Sequence, residues 1–189
     1  FTEMWYFIPL AISISLAPRL INAQLISDIK LQEANQFMHD VAAVICALIV
    51  VPIWLCADIL INVTFGVEYS GAVEVLKIYI LCSIFVFYGV VSGRWLIAQK
   101  LEKVILSRTL IGLVINLGLN LILIPKYGST GAAYSTLLSQ IFVNIICDIF
   151  DPRLHPLLYA KLKALNIIRS SRAVGDFVIK ELLLTRAKR

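Results

Sequence analysis

VILSRTLIGLVINLGLNLILIPKYGSTGAA, Val104 to Ala133, is the stretch whose reading decides the fold. From Thr109 to Ile124 it carries no charge, and Gly112, Asn116, Gly118 and Asn120 break a run of aliphatic residues. Pro125 ends that run, because proline supplies no amide hydrogen and its ring crowds the preceding turn. Lys126–Thr130 carries the reversal, and Gly131-Ala132-Ala133 opens a second apolar run. Two apolar helices joined by so short a turn predict an antiparallel hairpin that crosses a membrane twice.

Within the hairpin, Asn116 and Asn120 lie four residues apart and share a helical face with Gly112. Gly131, Ser135 and Ser139 repeat that spacing in the second run. Counting outward from the turn sets Asn120 level with about Ser135, and Asn116 level with about Ser139. The asparagines then have two readings. They are amides bonding between closely packed helices, or they are the polar lining of a transport cavity.

The 189 residues are 60% hydrophobic and 15% charged, against roughly half and a quarter in ordinary soluble domains. Long apolar runs recur, which predicts a polytopic, all-α integral membrane chain. Its first apolar segment is Trp5 to about Ile21, interrupted by Pro9 and Pro18. A polar linker, Asn22–Asp40, leads to the second, Val41 to about Val63, with Pro52 at its middle. The loop Phe65–Gly71 precedes the third, Ala72 to about Ala98, and the two limbs of the hairpin, to Ile124 and from Gly131 to about Ile149, complete five. Most offer the ~20 residues that cross ~30 Å of hydrocarbon.

This divides the chain into a partial transmembrane bundle, 1–150, and a basic tail, 151–189. The tail holds nine Lys/Arg and three Asp/Glu, while the remainder holds eight and nine. Five crossings put the tail, the Asn22–Asp40 linker and the Gln99–Arg108 loop on one side. Fifteen Lys/Arg fall there, against Lys77 and Lys126 opposite. The positive-inside rule makes that side cytoplasmic, with Phe1 entering from outside. The basic tail thus reads as a partner of anionic lipid, with no nucleic acid implied. In it Leu158, Leu162 and Leu165 share one face, as do Val174, Phe177, Val178 and Leu182, so it is either an interfacial helix or a partly disordered segment. His39 and His155, in polar boundary segments, read as solvated surface residues. Cys46, Cys56, Cys82 and Cys147 lie in apolar runs, with no metal-binding spacing, and read as packing residues.

Several motifs fall in one order: Phe7-Ile8-Pro9, Leu16-Ala17-Pro18, Phe65-Gly66-x-Glu68-Tyr69-x-x-Ala72 and Leu96-Ile97-Ala98-Gln99-Lys100. Asn116-x-x-x-Asn120 and Ile124-Pro125-Lys126-Tyr127-Gly128-x-x-Gly131-Ala132-Ala133 follow. The series resembles the polysaccharide transporters of the multidrug/oligosaccharidyl-lipid/polysaccharide exporter superfamily, over residues 1–150. The resemblance implies two helical bundles around a central cavity that opens alternately to either side. It implies a flippase that moves a polyprenyl-pyrophosphate-linked oligosaccharide across the cytoplasmic inner membrane for polysaccharide biosynthesis. By that resemblance the five segments are the last five crossings, and the partners are the lipid bilayer, the lipid-linked oligosaccharide and an N-terminal bundle preceding Phe1. A multidrug or solute antiporter of the same superfamily is the alternative, as is a membrane fragment that only assembles with others.

For such a flippase the substrate-path candidates are Arg94, Lys100, Lys103, Arg108, Asn116 and Asn120. A guanidinium matches phosphate oxygens in a bidentate fork, and the lysines would greet an anionic headgroup at the inner mouth. Arg94 is equally within snorkelling reach of the interface, and the loop cations equally fit positive-inside charge. Asp58 is the coupling-ion candidate or an outer-interface residue, since a short carboxylate in a membrane helix needs protein, water or a cation. No cofactor and no metal are implied. The sequence offers no nucleophile elbow, Gly-rich phosphate loop or carboxylate pair, so the reading is of a transporter and not an enzyme.

Overall fold

The computed structural model describes residues 5–187, with side chains described to residue 180. Phe1, expected outside, and Leu182 lie beyond those limits. Among the described residues every regular element is helical. They are α1 (Phe7–Ile26), α2 (Asp28–Leu55), α3 (Ala57–Phe65), α4 (Ala72–Ala98), α5 (Glu102–Ile141), α6 (Cys147–Phe150), α7 (His155–Ala164) and α8 (Ile167–Ala187). A π-helical turn, Phe142–Ile146, joins α5 to α6. Four stretches are long and apolar enough to cross a membrane: Phe7–Ile26, Asp28–Leu55, Ala72–Ala98 and Glu102–Phe150.

The core follows from helical spacing. Leu31, Ala34, Met38, Ala42, Cys46 and Val50 recur every three or four residues along α2 and are buried. Ile80, Phe87, Val91 and Trp95 do the same along α4. These two stripes face each other, and Leu20 and Ala23 of α1 join them, so α1, α2 and α4 enclose one apolar cluster. Gln24 of α1 fastens its end to that of α4, Nε2 donating to the Ala98 carbonyl at 2.6 Å.

The polar linker expected at Asn22–Asp40 is helical except at Ser27, whose hydroxyl caps α2 by accepting the Lys30 amide at 3.3 Å. As a result His39 is buried, not solvated. Its Nδ1 lies 2.9 Å from the Asn35 carbonyl and its Nε2 lies 3.3 Å from Ser92 Oγ. The second apolar segment is broken, with Cys56 leaving helical geometry between α2 and α3. Pro52 precedes the break, and the Cys56 amide closes the last turn of α2 on the Pro52 carbonyl at 2.9 Å. Cys46 and Cys82 pack inside as expected, while Cys56 is exposed at this break.

The segment read as a tail docks onto the bundle. Leu154 and Leu157 enter the main core. The inward face of α7 is Leu157, Ala160, Lys161 and Ala164, whereas Leu162 and Leu165 point outward. Ala164 packs against Ala43 of α2, while Leu157 on the same face reaches into the main core. α8 is pinned through Asp40 of α2, which accepts Ser170 Oγ at 3.0 Å and pairs with Arg169. Phe177 stacks at 4.6 Å on Phe37.

Candidate functional site

In α5 the chain folds back at Gly128, whose φ of 58° and ψ of −133° interrupt the helix. That backbone is open to glycine and strained for other residues. Asn116 Nδ2 donates to Ser139 Oγ at 3.4 Å and to Thr136 Oγ1 at 3.5 Å. In a straight helix residues 116 and 139 would stand about 34 Å apart. Gly131 against Leu123, Asn116 against Ser139, Gly112 against Val143 and Arg108 against Asp148 step outward from Gly128 in register. The hairpin therefore has the register counted from its sequence at Asn116 and Ser139. Its limbs meet so closely that a Cβ on Gly131 would lie 2.3 Å from the Leu123 carbonyl oxygen.

Between α4 and the two limbs lies a cavity of about 500 Å³. Small residues make the room: Gly89 and Gly93 on α4 and Gly112 on the first limb. Its polar wall is Arg108, Thr109, Asn116, Thr136, Gln140 and Asn144. Asn116 thus bonds across the hairpin and borders this cavity, whereas Asn120 does neither. Asn120 continues the stripe by donating to Asn116 Oδ1 at 3.0 Å, and its own buried oxygen has no partner among the described residues.

Arg108 is no loop cation. Its side chain is 8% exposed, borders the cavity and pairs with Asp148, which is fully buried. Lys161 of α7 reaches the same carboxylate, Nζ to Oδ2 at 2.7 Å, and donates to the Asn144 carbonyl at 2.7 Å. The π turn makes that carbonyl's position: the ladder slips by one residue there, Cys147 N–H returning to the Phe142 carbonyl. Burial holds the Lys161 ammonium well below its ordinary range, and the Arg108 guanidinium pushes the same way. One carboxylate and two cations make the cluster.

The other candidates fall elsewhere. Arg94 turns from the cavity to α1, its Nε donating to buried Ser13 Oγ at 2.8 Å. Lys100 and Lys103 are exposed at the α4–α5 turn, where Lys100 takes a positive φ of 57°. Asp58 pairs with Lys77 at 2.7 Å on the surface. That ammonium, hydrogen-bonded to it, holds the Asp58 carboxyl below the usual range.

Sequence reading passed over Asp148 and Lys161. The available signal for the first was a carboxylate deep in an apolar segment, which demands a partner. The signal for the second was the spacing of Leu157, Ala160 and Ala164 around it. No family model, curated protein or solved structure matches the chain.

Proposed function

We propose that the chain is part of a multi-pass membrane transporter, a flippase that carries a polyprenyl-pyrophosphate-linked oligosaccharide from the cytoplasmic to the outer leaflet. The crossings are α1, α2, α4 and the two limbs of α5, completed by an N-terminal bundle. The observation that carries this reading is the buried, cationic Arg108 on the wall of a cavity that sets amides, hydroxyls and glycines among apolar side chains such as Phe85, Val86 and Val90. A guanidinium presents paired N–H donors to phosphate oxygens, while amides and hydroxyls suit the hydroxyls of a sugar. Leu110, Val114, Leu117 and Leu121 on the outer side of the hairpin are exposed, as lipid or a companion bundle requires. The ends of α1 and α4 and the basic helices α7 and α8 gather at one end of the bundle, which supports a cytoplasmic location for that end.

A drug antiporter of similar build would need carboxylates free within its helices. Asp40 and Asp148 are both engaged by cations, which favours the flippase. The test is translocation of a fluorescent polyprenyl-pyrophosphate sugar by the full transporter in proteoliposomes. Arg108→Met is expected to lower the rate at least ~10-fold, the loss of one charge-assisted phosphate contact. Equal rates with wild type would remove Arg108 from the substrate path, and no translocation by wild type would overturn the flippase reading.

A further inference from the structure

We propose that an anion bound at Arg108 draws a proton onto Lys161, making the cavity a linked anion–proton site. This rests on the reading of the cavity given above and assigns a role to two residues outside its wall. The geometry begins with charge. Asp148 is 0% exposed, and the side chains of Arg108 and Lys161 are 8% and 5% exposed. Two cations on one buried carboxylate leave one positive charge without a counterion, in surroundings that penalise it heavily.

There are two ways to remove that excess. An anion enters, or a cation gives up its proton. Arginine keeps its proton in proteins, so the group that yields is Lys161. As a neutral amine, Lys161 still has the two hydrogens needed for its bonds to Asp148 Oδ2 and the Asn144 carbonyl. An anion has a seat on the other side, because Arg108 Nε is buried, has no hydrogen-bond partner, and belongs to a residue that borders the cavity. When the anion takes that edge, the cluster has two negative groups for two cations. Lys161 then binds a proton from water, and no other bond changes.

Other groups near the cluster do not supply the missing charge: Asp151, which interacts electrostatically with Arg108, is already held by the Arg153 guanidinium at 2.7 Å. From α2, His39 interacts with Lys161 electrostatically, and Asp40 is already engaged by Arg169 and Ser170 of α8. From the hairpin limb the titratable neighbours are Cys147 and Asp148, with Arg108 opposite. On α7 itself His155 and Lys163 are exposed. Burial and the Arg108 guanidinium both press the Lys161 ammonium toward giving up its proton.

The test is calorimetry on the full transporter in nanodiscs, with a short isoprenyl diphosphate as the probe. Heats in two buffers of different ionisation enthalpy give the protons taken up per probe bound. Working between about pH 8 and about pH 9 keeps the probe's phosphates, with a second pKa of about 6, out of the titration. Wild type is expected to take up a proton, with affinity falling by up to ~10-fold per pH unit. Lys161→Met should bind with no uptake and little pH dependence. Lys161→Arg, which keeps the charge and a hydrogen-bonding head, should also bind without uptake, and it carries the test if the methionine variant fails to fold. Uptake that persists in either variant would overturn the linkage while leaving the anion site. No binding to wild type would overturn the cavity reading and the linkage with it.

Discussion

Asp40 and Asp148 are both buried carboxylates that tie the C-terminal helices to the bundle, yet their surroundings differ in charge. Asp40, 2% exposed, meets one cation, Arg169 of α8, and completes its bonding with Ser170 and with Gln36 Nε2 at 2.9 Å. The Arg169 side chain keeps 30% of its surface exposed, so this pair sits at the edge of the bundle and is balanced. Asp148 meets two cations, lies deeper, and stands beside a cavity. A balanced, closed cluster has no use for a ligand. An unbalanced one beside open space has a charge to offer. The difference separates a fastening from a site, although both look alike as ion pairs.

The comparison can be broken most readily at Asp148. Asp148→Asn leaves the buried Arg108 guanidinium without its carboxylate and should cost about 3–5 kcal/mol, read as a large fall in melting midpoint in detergent. Asp40→Asn should cost less, about 1–3 kcal/mol, because Arg169 can turn toward water. If the two variants melt together, the clusters do not differ in the way described. Gly131→Ala sharpens the contrast from a distance. Its Cβ would force the limbs apart at Leu123, at about 1–3 kcal/mol. It should also loosen Arg108 from Asp148 while leaving the Asp40 pair intact. A double-mutant cycle with each aspartate would therefore show coupling to Asp148 and none to Asp40.

Lys161→Met removes the basic group that Asp148 does not need beside Arg108 and should change stability by less than about 1 kcal/mol, or raise it. A loss as large as that of Asp148→Asn would mean that the ammonium is a structural tie and not an excess charge. The smallest effect is expected at Asp58, exposed and paired only with Lys77. Since its carboxyl is depressed, any contribution is present at neutral pH and lost on acidification through its folded-state value. Asp58→Asn should leave both the melting midpoint and transport unchanged. Lost transport would restore Asp58 as the coupling-ion ligand.

The hairpin was legible because its signals were local. Gly128, within the expected turn, marked the reversal, although the helix runs on through Pro125 where it was expected to end, and residues at four-residue spacing marked the inner faces before any contact was known. The fate of the C-terminal region was not legible in the same way. Its charge count described a basic tail, but Lys161 is spent on Asp148 and Arg169 on Asp40, which lies 129 residues away in sequence. Amphipathic spacing in α7 marked Leu158, Leu162 and Leu165 as one apolar face, suited to a membrane interface. Packing chose its alanines, because what lies opposite is another helix at close range. Likewise His39 looked solvated among polar neighbours, and only the extension of α2 through Asp28–Asp40 carries it inside.

The account turns on the hairpin's inner face opening to a water-filled cavity, and thiol accessibility measures that directly. In the protein lacking its native cysteines, single cysteines would be placed at Gln140 on the cavity wall, at buried Ser135, and at Leu117 on the exposed apolar face. A small charged thiol reagent added to membranes should modify position 140 and spare 135 and 117. The isoprenyl diphosphate should slow the reaction at 140. A silent position 140, or one no faster than 135 and 117, would mean that the space beside Arg108 is closed to water and ligand, and the site reading would fall.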